Sequence, residues 1–159
     1  MQKGAVLDQT REYRYLLKRQ WGGNDENFVN FVLLNPSTAD QDKDDPTVKA
    51  CMKFAKNWGY DGMWVTNLFA LRATDPKKLK IVEDPVGKDN DSYLEQYARK
   101  GAIVVLAWGG AGNFLNRGEE VIKLLSKIKP LHCIKNLKSG APQHPLYINQ
   151  DSKFIKFST

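Results

Sequence analysis

Ala102-Ile-Val-Val-Leu-Ala-Trp108 is a near-continuous apolar run without the alternation of a strand that faces water on one side. A run of this kind belongs to a central parallel strand covered on both faces. Three further apolar stretches, Phe28–Leu34, Met63–Ala70 and Leu131–Ile134, are short and bounded by turn residues, so each reads as a strand. Helical spacing falls between them. Val48, Cys51, Met52 and Ala55 form one apolar face, Leu94, Tyr97 and Ala98 a second, and Val121, Leu124, Leu125 and Ile128 a third. Strand–helix alternation from residue 28 to residue 134 predicts a three-layer α/β/α sandwich with a mostly parallel central sheet. With 159 residues the chain supports one domain with one core.

Local signals refine the boundaries. Asp45-Pro46 predicts a helix start, with an acidic N-cap and a proline where the missing N–H costs nothing; Gly59 is a plausible C-terminal cap. Asp89 or Asn90 caps the second helix. Arg11–Trp21, the turn Gly22–Asp25 and the Phe28–Leu34 strand predict an N-terminal hairpin whose Arg and Lys side chains are solvated.

Composition narrows the function classes. No apolar run is long enough to span a bilayer and no signal-peptide core follows Met1, so no membrane association is expected. Cys51 and Cys133 lack C-x-x-C spacing and read as buried thiols in a reducing, cytoplasmic setting. Two Cys and two His give no metal-ligand cluster, so no metal is expected. Residues 101–159 hold eight Lys and Arg against three Asp and Glu. That excess fits a polyanionic partner and equally fits a solubilising surface.

Polar residues collect where the apolar runs stop. Asn35-Pro-Ser-Thr38 ends the first, Thr66-Asn67-Leu68 the second and Trp108-Gly109-Gly110 the third; Gln143-His144-Pro145 lies in the loop beyond the fourth. In open α/β sheets, ligand chemistry gathers at such strand ends. Asn67 is unusual in a buried run: either backbone satisfies its amide, or it awaits a ligand with donor and acceptor edges. Within the acidic run Asp40–Asp45, a solvated capping loop competes with a general base beside Asn35, for which Asp40 is the candidate. The glycines Gly109, Gly110 and Gly112 match neither the dinucleotide nor the phosphate-loop fingerprint. His132 alternates with apolar neighbours and reads as a core or edge histidine, which leaves His144 as the better placed of the two.

The set Leu34-Asn-Pro-Ser-Thr-Ala-Asp40, Asp44-Asp-Pro-Thr47, Asn67–Pro76 and His144-Pro-Leu-Tyr147 resembles a bacterial and phage domain family of unknown function. More distantly, the order of motifs resembles the uracil-DNA glycosylase superfamily. The resemblance implies a monomeric, metal-free and cofactor-free enzyme that flips a base out of duplex DNA and cleaves its glycosidic bond. It implies that Asn35 positions water, Asn67 reads a pyrimidine edge and His144 stabilises charge on the leaving base. Pro36, Ser37, Gly109 and Gly110 would line the base pocket, with Phe69 or Trp108 stacking on the base. Lys135, Lys138, Ser139 and Gln143 would bind DNA, with Leu146 or Tyr147 entering the duplex. Ser37 stands where the uracil-specific branch carries a Tyr that blocks the pyrimidine 5-position. Its small side chain predicts room for a bulky 5-modified base, such as hydroxymethylated or glucosylated cytosine in phage DNA, and a role in antiviral defence. Two other functions fit the same residues: a non-catalytic nucleic-acid binder, and an N-glycosidase acting on free nucleosides or nucleotides.

Overall fold

A computed structural model describes residues 1–158. The strands are β1 (Gln2–Leu7), β2 (Arg14–Gln20), β3 (Phe28–Leu33), β4 (Gly62–Asn67), β5 (Ile103–Leu106), β6 (Leu131–Cys133) and β7 (Ile155–Lys156); the helices are α1 (Pro46–Asn57), α2 (Asn90–Lys100) and α3 (Arg117–Ser126). They form one mixed sheet in the order β1-β2-β4-β3-β5-β6-β7. The four central strands, β4-β3-β5-β6, are parallel, and antiparallel strands flank them on both sides.

The expected burial of the central strands holds. Phe31, Leu33, Val65, Val105 and Ala107 pack with Val48, Cys51, Phe54 and Ala55 of α1. Val32, Val104 and Leu106 point the other way, onto Leu94 and Ala98 of α2 and Val121 and Leu125 of α3. Side chains on both faces are therefore covered, which is why these runs lack alternation. Cys51 and Cys133 are buried free thiols. Helix α1 begins as its sequence predicts, with the Asp45 carboxylate accepting from Val48 N–H at 2.9 Å and Pro46 in the first turn. Gly59, just beyond its end, has φ +86°, a conformation that glycine adopts without steric cost.

The N-terminal hairpin differs from the expected one. Strands β2 and β3 do not pair; β4 lies between them, with Gly62 registered against Gln20 on one side and Phe28 on the other. The intervening turn is wide because it wraps Asp61: Trp21 and Gly22 donate to the Asp61 carbonyl, and Asp61 donates to that of Asn27. A Cβ on Gly62 would meet the Phe28 ring at 2.5 Å, so only glycine allows β4 to enter this slot. The hairpin is β1 with β2 instead. Nor are its basic residues all solvated: Arg14 and Arg19 are 2% and 0% exposed.

Candidate functional site

The chain leaves β3 through α1 toward β4 on one side, and leaves β5 through α3 toward β6 on the other. The two connections diverge between β3 and β5, and the resulting crevice is the usual ligand position in such sheets. Asn35 follows β3 at this edge, Asn67 ends β4, and Gly109 follows β5.

The Asn35-Pro36-Ser37-Thr38 loop is held from several directions. The Asn35 side chain donates from Nδ2 to the carbonyls of Ala73, at 2.8 Å, and Pro36, at 3.0 Å. Ala73 N–H returns a bond to the Pro36 carbonyl. Arg72 donates to the carbonyls of Ser37 and Thr38, Arg14 to Ala39, and Arg19 to Asp40 and Lys43. With both amide hydrogens of Asn35 engaged, Oδ1 remains as its acceptor. Ser37 is half-buried, its hydroxyl 3.4 Å from that of Thr74.

Asn67 is fully buried, and neither Nδ2 nor Oδ1 has a hydrogen-bond partner among the described residues. Leaving such an amide unpaired costs on the order of 1–3 kcal/mol. Asn67 is in register with Leu33 and two residues beyond Val65, both packed toward α1. Its side chain therefore shares the α1 side of the sheet with them.

His144 caps a short 3₁₀ turn, Pro145–Tyr147, and its Nδ1 accepts from Leu146 N–H at 3.2 Å. A neutral ring accepting at Nδ1 carries its proton on Nε2 and can donate there. Burial lowers the His144 pKa, and the negative charge of Asp45 opposes that shift. The His144 loop docks on the end of β5, where Gly109 N–H donates to the Pro142 carbonyl at 2.8 Å and Gly109 has φ +80°.

Of the acidic run, Asp45 acts electrostatically on His144, on Arg14 and on Cys51. Asp40, the candidate for the base, takes the capping role in the loop that competed with it. Its carboxylate accepts from the N–H groups of Asp42 and Lys43, which hold it below its ordinary pKa.

Phe69 and Trp108 do not join the group. Both pack in the α2/α3 layer, Phe69 against Phe114 and Trp108 beneath Gly112 and Gly118. Gly110 is exposed and Pro36 is buried. Lys135, Lys138 and Ser139 are exposed; Gln143 is half-buried and donates to the Tyr147 carbonyl. Leu146 and Tyr147 are 45% and 76% exposed, so both are free to meet a partner. Among the described residues, no group of three His, Cys, Asp or Glu side chains is placed to hold a metal ion, and no helix is long and apolar enough to cross a membrane.

Sequence reasoning missed Arg14, Arg72 and the Ala73 carbonyl as parts of this site. The signal at Arg14 is an arginine between Tyr13 and Tyr15, which by itself reads as a solvated charge.

A separate groove of about 780 Å³ runs along α3 and β6, lined by Trp108, Asn113, Lys123, Lys129, Ser139 and Lys156 among others.

The family described as "Protein of unknown function (DUF1643)" matches residues 14–146, and the chain belongs to it. Every site residue above except Tyr147 lies inside that match. No curated protein and no solved structure matches the chain.

Proposed function

We propose that the chain is a DNA glycosylase that extrudes a modified pyrimidine and hydrolyses its glycosidic bond, leaving an abasic site. The carrying observation is Asn67: a fully buried amide with donor and acceptor both unpaired. A pyrimidine's Watson–Crick edge offers a donor and an acceptor side by side, and an amide can read both at once. The parallel strand order, with the divergence between β3 and β5, supports a ligand at this edge.

The other residues fit the same chemistry. The C1′–N bond breaks with its electron pair leaving on the base. The His144 Nε2–H donates to the oxygen that gains this charge, a fixed dipole worth more in a dry site than in water. Water held by the Asn35 Oδ1 then adds to C1′, and its proton passes to the departing base anion, which leaves as the neutral base. The small Ser37 beside Pro36 supports a bulky 5-substituent on the substrate, with hydroxymethylated or glucosylated cytosine of phage DNA as the candidates and antiviral defence as the use.

One observation favours a second reading, a nucleic-acid binder without chemistry: the Asp40 carboxylate is committed to its own loop. Alkaline cleavage of DNA after incubation with the protein separates the two. Across uracil, mismatched, hydroxymethylcytosine and glucosylated-cytosine duplexes, the glycosylase produces breaks in one substrate and His144→Ala removes them. Binding with no breaks in any duplex selects the binder.

A further inference from the structure

Four arginines reach into the loops at the C-terminal edge of the sheet, and three are saturated. Arg19 donates to the Asp44 carboxylate and to the carbonyls of Gly4, Lys18, Asp40 and Lys43. Arg117 donates to Asp91, Glu120 and the Leu68 carbonyl. Arg72 spends its three nitrogens on the carbonyls of Ser37, Thr38 and Arg11.

Arg14 is different. It is 2% exposed, yet only Nη1 has an acceptor, the Ala39 carbonyl at 2.9 Å, and Nε is buried without a partner among the described residues. No carboxylate among those residues lies within ion-pair distance of it; Asp45 acts on it from farther away. Burial lowers its pKa to about 10, so it keeps its charge at neutral pH. A desolvated cation with spare donors is costly unless something accepts from it.

The backbone aims this side chain deliberately. In the β1–β2 ladder Val6 pairs with Leu16 and Leu7 with Arg14, which leaves Tyr15 as the extra residue of a bulge. Leu16 packs with Phe28 and Trp64, and Tyr15 stacks on Tyr93 of α2 at 5.1 Å, both away from α1. Beyond the bulge Arg14 emerges on the α1 side, at Ala39. Bulges recur where a sheet must re-aim a side chain beside a site. Asn67 lies on the same side of β4, the strand next to β2, and Asp45 links Arg14 electrostatically to His144.

We propose that Arg14 is a ligand-recognition residue whose guanidinium donates to an oxygen acceptor of the base that Asn67 reads. The inference rests on the base-flipping reading and names the chemistry its pocket selects: an oxygen-bearing pyrimidine. The oxygen is either a ring carbonyl or a hydroxyl of a 5-substituent.

The test compares wild type with Arg14→Met and Arg14→Lys. Readouts are single-turnover excision from the cleaved duplex, the Kd for free cytosine and free 5-hydroxymethylcytosine by ligand-observed NMR, and the urea unfolding midpoint. Arg14→Met is expected to weaken base binding by about 10–100-fold, the range of a hydrogen bond to a charged group. Arg14→Lys, which keeps the charge but loses the planar fork, recovers part of it. Equal loss for both bases assigns the ring carbonyl; loss confined to 5-hydroxymethylcytosine assigns the substituent. If Arg14→Met does not fold, Arg14→Lys alone carries the test and must bind more weakly than wild type. Unchanged excision and base binding in the folded variants overturn the role of Arg14 while the glycosylase reading stands. Wild-type protein that neither cleaves DNA nor binds a base removes both.

Discussion

A Cβ placed on Gly109 would sit 3.6 Å from the Cβ of His144. The end of β5 and the His144 loop are thus in contact through a residue without a side chain, and the Gly109 N–H to Pro142 bond fixes their spacing. Gly109 also has φ +80° and ψ −174°, a region almost confined to glycine, where an L-residue costs about 1–3 kcal/mol. Gly109→Ala is expected to lose about that much stability in urea titration. Its excision rate should fall further than its stability, because the strain relaxes toward His144. A stability loss with full activity would show that this contact does not position His144.

Asn67→Leu should move stability and function in opposite directions. Replacing a buried, unpaired amide by an apolar group of similar shape removes a penalty on the order of 1–3 kcal/mol. The variant is expected to unfold at higher urea than wild type while base binding falls about 10–100-fold, the scale of a lost bidentate contact. A destabilised variant would mean that the amide is satisfied in the free protein.

How much of this was legible beforehand depends on which residues one considers. The parallel core was legible because burial on both faces removes alternation from Ile103–Leu106, and the start of α1 was legible because Asp45-Pro46 is a local signal. Asn67 stood out as an amide in an apolar run. The placement of β4 between β2 and β3 was not legible, because a wide turn around Asp61 and a tight hairpin turn share the same Gly-Gly-Asn residues. The burial of Arg14 was equally hidden: it depends on a one-residue bulge, and shifting register by one moves a side chain from one face to the other. Asp40 and Asp45 could not be separated in sequence because both are acidic residues in one loop. Their backbone partners separate them: Asp40 accepts from the N–H groups of Asp42 and Lys43, and Asp45 from that of Val48.

Trp108 is expected to be a stability residue with no part in base recognition. A Cβ on Gly112 would lie 2.2 Å from its indole Cδ1 and one on Gly118 would lie 3.3 Å from Nε1, so the ring is tightly covered. Gly112→Ala should cost about 1–3 kcal/mol by overpacking, and Trp108→Ala about 3–5 kcal/mol by leaving a cavity. The milder Trp108→Phe should keep the wild-type ratio of excision rates between duplex substrates. A changed ratio would put the ring in contact with the base.

The pH dependence follows from the direction of the His144 shift. Burial holds its folded pKa below the ordinary value of 6.5. The unfolded chain therefore takes up a proton first as the pH falls. Between 6.5 and the lower folded value, unfolded protein binds more protons than folded protein, so stability rises with pH through that window and is lost on acidification. His132 is shifted the same way by burial and contributes with the same sign. His144→Asn should flatten the slope of unfolding free energy between about pH 5 and 7, and adding His132→Asn should flatten it further. The same logic governs rate. A neutral imidazole donating from Nε2 is the working form, and the Asp45 charge raises the pKa at which that form is lost. Asp45→Asn preserves the N-cap, since Asn caps as well as Asp, and removes only the charge. The acid limb of the excision profile should then move to lower pH with α1 intact by circular dichroism. An acid limb that stays in place would detach Asp45 from His144 and assign it to the helix alone.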